Sequence, residues 1–162
     1  MSECKRQKLE SIMNNNLTGK ALENALDFVN SMITIGYNIE INDTIDFYYM
    51  GEITFLVIIA PHSENFPDGY WGIFNYPLNE NENFPLDSDL IDFVHQSVRI
   101  CEGECGCADW PRGGNKVVYG KNFEDVCSSV IQWSTPDAEA VEKIKELMKN
   151  WALIIAEKQG AK

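Results

Sequence analysis

Apolar residues recur along this chain with two different periods, and the switches between them mark its elements. Leu9, Ile12 and Met13 give one side to a short helix over residues 3–14, which the Asn14-Asn15-Asn16 run should end. Thr18 is a good N-cap for a second helix. Leu22, Ala25, Leu26, Val29, Met32 and Ile33 then repeat at three- and four-residue spacing, one buried stripe that Gly36 should terminate. From residue 38 the period falls to two. Ile39, Ile41, Ile45, Phe47 and Tyr49 alternate with polar neighbours, as in a half-buried strand. Gly51-Glu52 suits a type II′ hairpin turn. ITFLVIIA (53–60) is apolar on both faces and β-branched, so it reads as a central strand, and GYWGIFNY (69–76) as a third.

Asp87 or Ser88 caps the next helix, whose apolar face runs through Leu90, Ile91, Val94 and Val98. One further step of three lands on Cys101, which should therefore close this helix and point inward. Residues 101–116, CEGECGCADWPRGGNK, have no period. KVVYGKNF reads as strand and turn, and VCSSVIQW (126–133) alternates, placing Cys127, Ile131 and Trp133 on one face. For the last helix Thr135 is the expected N-cap, Pro136 the first helical residue and Asp137 a partner for the helix dipole. Its stripe is Val141, Ile144, Leu147, Met148, Trp151, Ile154 and Ile155, and Gly160 should end it. The expected fold is a single α+β domain spanning residues 1–162. It would have one antiparallel sheet of about 4–6 strands, three or four helices packed on it and a long C-terminal helix.

Composition adds exclusions. At 44% hydrophobic the chain can bury a core and does not read as disordered. Its net charge of −12 has the wrong sign for nucleic acid or an anionic membrane surface, so neither is expected as a partner. No apolar run is long enough to span a bilayer, and MSECKRQKLE leads into no apolar signal region. The resulting expectation is a cytoplasmic protein.

Four of the five cysteines lie between Cys101 and Cys127. In a reducing compartment such clustering points to metal or thiol chemistry before a disulfide framework. The spacing is Cys101-x3-Cys105-x-Cys107, then Cys127. Four thiolates suit zinc in a structural role, and an iron–sulfur cluster takes the same donor number. Gly103, Gly106, Gly113 and Gly114 permit the tight turns that would aim several sulfurs at one point. A metal would also give an irregular loop a reason to be ordered. Against this, the paired C-x2-C units of zinc ribbons are absent, and Cys101 and Cys127 on apolar faces also fit ordinary buried cysteines. A thiol-redox reading of Cys105-Gly106-Cys107 is weakened by Glu102, Glu104 and Asp109, which would raise thiol pKa values.

Other constellations say less. Trp71, Trp110 and Trp133, with Tyr70, could line a pocket for a small molecule near Cys105 and Cys107, although aromatic residues in strands usually serve a core. This gives the alternative to a metal-holding domain: a ligand-binding module or thiol-dependent enzyme. Arg112-Gly113-Gly114-Asn115-Lys116 can turn to hold an anion but lacks phosphate-loop spacing. His62 and His95 have no sequence-visible partner for acid–base work. Cys4 suggests no chemistry.

The run YGKNFEDVC (119–127), following the C-x-C and Pro-x-Gly-Gly of residues 105–114, resembles the C-terminal half of a group of small bacterial proteins of unknown function. The likeness covers roughly residues 100–155, and the positions that match are Cys101, Cys105, Cys107 and Cys127. It implies a shared fold module and no catalytic activity.

Overall fold

A computed structural model describes residues 3–60, 68–75, 86–101 and 114–160. These form, in order, α1 (Glu3–Asn16), α2 (Gly19–Ile35), β1 (Asn38–Ile41), β2 (Ile45–Tyr49), β3 (Glu52–Ile59), β4 (Trp71–Asn75), α3 (Ser88–Gln96), β5 (Val98–Ile100), β6 (Gly114–Val118), β7 (Lys121–Ser134) and α4 (Ala138–Gly160). The class is α+β, with a long C-terminal helix. The described strands number seven, more than the 4–6 expected, in the order β1-β2-β3-β4-β7-β5 with β6 also on β7. One extra strand comes from residues 38–49, which alternate like a single strand but fold as the β1–β2 hairpin. By its internal contacts the chain divides into two compact units, Met1–Ile73 with Trp133–Lys162, and Phe74–Gln132.

The first unit is built around aromatic residues. Phe47 and Phe55 are register partners on β2 and β3, with their rings stacked 4.4 Å apart. Phe28 of α2 meets Phe55 edge-on at 5.6 Å and also lies against Phe47 and Trp71. Each aromatic pair adds about 0.5–1.5 kcal/mol beyond the area it buries. Just past Phe47 the register shifts, because Tyr48 pairs with Ile53 and leaves Thr54 as the extra residue of a bulge. Thr54 is fully buried, and its hydroxyl donates to the Phe47 carbonyl at 3.1 Å. The polar residue that the bulge forces inside is thereby satisfied.

Helix α2 ends as its sequence requires. Gly36 sits at φ 110°, its N–H bonds to the Ile33 carbonyl at 3.1 Å, and the Tyr37 N–H reaches the Met32 carbonyl at 3.0 Å. These are the two closures of a Schellman motif. At the other end Thr18 holds the cap position without a side-chain hydrogen bond. Helix α4 packs its apolar stripe inward, with Ile144, Leu147 and Met148 fully buried. Its N-cap is Asp137, which accepts from the Ala140 N–H at 2.9 Å. The expected cap, Thr135, instead takes a left-handed conformation (φ 43°) and donates its N–H to the Trp71 carbonyl.

In the second unit Asp87 caps α3 by accepting from the Leu90 N–H at 2.9 Å. The helix does not continue to Cys101 as expected. The Ser97 N–H bonds to Val94 and its hydroxyl to Phe93, closing the helix at Gln96. The β-branched Val98 and Ile100 then go into β5. Strands β6 and β7 form a hairpin through Tyr119 and Gly120, both at positive φ. His95 points its Nε2 at the Val118 carbonyl, 2.8 Å away, with its ring against Phe123.

The β2–β3 turn differs from the expected type II′. Tyr49 pairs with Glu52, so the two turn residues are Met50 and Gly51, at φ 50° and 87°. Both are left-handed, the pattern of a type I′ turn. A left-handed non-glycine residue costs roughly 1 kcal/mol, and Asn tolerates the region better than Met. Met50→Asn should stabilise the chain by about 0.5–1 kcal/mol, read as a higher urea midpoint at unchanged slope. Tyr37 supplies a pH test. Its buried hydroxyl donates to the Met148 carbonyl at 2.8 Å. Burial pushes its pKa above the ordinary tyrosine value. The proton is thus held more tightly in the folded state. This contribution is complete below the unfolded pKa of about 10 and is lost as pH rises beyond it. Stability should fall above about pH 10 by up to ~1.4 kcal/mol per pH unit from this group, and Tyr37→Phe should remove that part of the slope.

Candidate functional site

Strand β7 positions the cysteine segment. Ile100 at the end of β5 and Gly114 at the start of β6 are both register partners of Val126. A strand residue takes one partner on each edge, so β5 and β6 flank β7 on opposite sides at this point. Residues 101–113 connect those two edges, and Cys127 is the next residue of β7. The Cys101 N–H donates to the Asp125 carbonyl at 2.6 Å, which extends the β5 pairing up to the cysteine itself. Cys101 is half-buried and Cys127 is 2% exposed.

Local irregularities concentrate here. Between Gly114↔Val126 and Lys116↔Phe123, β6 carries only Asn115 where β7 carries Glu124 and Asp125. Asp125 sits at φ 52° in this bulge, a backbone state usually given to glycine and next most readily to Asn or Asp. On the other edge Val98 pairs with Ile131 and Ile100 with Val126, so residues 127–130 stand against Arg99 alone. Cys127 therefore opens a stretch where regular pairing with β5 is suspended. Bulges commonly re-aim side chains beside functional sites.

Of the four expected metal ligands, the fold brings Cys101 and Cys127 to adjacent strands, while Cys105 and Cys107 lie outside the described residues. Among the described residues no group of three or more His, Cys, Asp or Glu is placed to hold a metal ion. The expected ligand-pocket residues separate similarly. Trp71 and Trp133 are buried, at 0% and 5% exposure, and Trp110 lies outside the described residues. Trp71 packs near Phe28, and its buried indole N–H has no hydrogen-bond partner among the described residues. Residues 114–116 of the glycine-rich basic run are strand β6, not a turn; Arg112, Gly113 and His62 are outside the description. Cys4 is exposed on α1.

One surface feature escaped the sequence reading. In the first unit a groove of about 520 Å³ lies between the N-termini of α2 and α4, lined by Lys20, Glu23, Asn24, Pro136, Asp137 and Glu139 among others. Asn24 Nδ2 donates to the Pro136 carbonyl across it at 3.2 Å. Nothing in the chain pattern could reveal it, since it joins residues more than a hundred positions apart. Its mixed charge favours no single ligand class.

Among the described residues no helix is long and apolar enough to cross a membrane. The chain matches no protein-family model, no curated protein and no solved structure.

The bulge gives a local test. Asp125→Gly should leave stability unchanged or raise it by up to about 1 kcal/mol, because glycine adopts the left-handed state freely. Asp125→Val, β-branched at the same φ, should lower it by roughly 1–3 kcal/mol. Thermal melts of the two variants check the ordering.

Proposed function

We propose that this chain is a non-catalytic cytoplasmic domain that holds a metal ion, zinc in preference to others, on the thiolates of Cys101, Cys105, Cys107 and Cys127. The observation that carries the reading is the shared partner of Ile100 and Gly114. Because both pair with Val126, the cysteine-bearing segment begins and ends within one strand spacing of the residue next to Cys127. Adjacent strands lie about 4.8 Å apart, so the two ends are separated by roughly twice that distance. All four donors are sulfur, which selects soft or borderline ions over magnesium or calcium. Such a site would stabilise the fold directly, because the unfolded chain offers no assembled set of ligands. The resemblance of residues 100–155 to small bacterial proteins of unknown function concerns the same four cysteines and implies no reaction.

The test uses protein purified without metal-affinity steps. About one zinc per chain is expected by elemental analysis, with Cys101, Cys105, Cys107 and Cys127 slow to react with a thiol reagent until a chelator is added. Cys105→Ser and Cys127→Ser should each abolish the bound metal and lower the melting temperature to a similar degree. Metal-free protein with rapidly reacting thiols at 105 and 107 would overturn the reading. So would a Cys105→Ser variant that melts like the parent while Cys127→Ser alone is destabilised, since Cys127 would then be a core residue only.

A further inference from the structure

Strand β1 ends the strand order, so its edge away from β2 faces no strand among the described residues. An open edge presents N–H and C=O groups to any extended chain, and proteins blunt such edges with lysine, charge or a covering element. Here a lysine of α1 does this. Helix α1, with Leu9 and Met13 buried, packs against α2 and β3, and its first turns place Lys5 beside β1. The Lys5 ammonium donates to the Ile39 carbonyl at 2.7 Å, joining residues 34 positions apart. Ile39 lies near the middle of the four-residue strand. A charge-assisted hydrogen bond at that carbonyl is stronger than the neutral ladder bond it displaces. The next residue, Glu40, is exposed, and two copies of β1 brought together antiparallel would set their Glu40 carboxylates close to one another. Like charges facing across a strand pair are unfavourable.

We infer that Lys5 and Glu40 form an edge guard that keeps β1 from pairing with β1 of a second copy of this chain. The guard is independent of the cysteine segment. It belongs to the α1–β1 contact alone and requires no metal.

The experiment compares the full chain with Lys5→Met and with the double variant Lys5→Met, Glu40→Thr. Methionine keeps an apolar stem of similar length, so α1 retains its packing while the charge is removed. Sedimentation velocity over a wide concentration range should find the parent monomeric and the double variant self-associating. The gain expected from losing one charge-assisted hydrogen bond is about ten- to hundredfold in the association constant. Amide exchange at residues 38–41 should slow on association in the double variant only. Lys5→Arg should behave like the parent, because it restores the cationic donor. A double variant that stays folded by circular dichroism and monomeric at every concentration would overturn the inference. A parent chain that already dimerises with β1 amides protected would overturn it equally.

Discussion

The Phe47–Phe55 pair is the contact on which the first unit is organised. Both residues must face α2 for Phe28 to reach them, and a strand has only two faces. Slipping β2 against β3 by one residue would turn one ring to solvent and take Ile45 or Val57 with it. The hairpin holds that register while accommodating one residue too many in β3. Thr54 is that residue, and its hydroxyl serves the Phe47 carbonyl. A valine there would fit the space and lose that hydrogen bond. The strand thus keeps its register because its one misfit residue is polar, short and hydrogen-bonded.

Tyr37 joins the same cluster from the end of α2, with its ring 5.3 Å from Phe55 and its hydroxyl bonded to the backbone of α4. The Schellman closure at Gly36 is what aims it, since a left-handed residue there redirects the chain immediately after the helix. One glycine therefore couples three elements: helix, strand and the C-terminal helix.

Much of this was legible in the chain. The stripes of α2 and α4 and the β-branched run of β3 are long and strongly periodic, and packing follows period. The failures have physical causes. Ile41 and Ile45 are separated by an even step, so alternation runs unbroken through the turn at 42–44 and disguises two strands as one. Val98 lies at helical spacing from Val94 and also at strand spacing from Ile100, and the backbone bonds of Ser97 decide between the two. Thr135 and Asp137 are both good caps, and Thr135 loses because it bonds the Trp71 carbonyl instead. At the cysteines, sequence shows four sulfurs in a short stretch but cannot show pairing. That Ile100 and Gly114 meet across Val126 is a property of the sheet.

That shared partner has a consequence for how β7 tolerates change. A residue paired on both edges has no open side on which a proline could be accommodated, so a substitution at Val126 that breaks its backbone pairing disturbs β5 and β6 together.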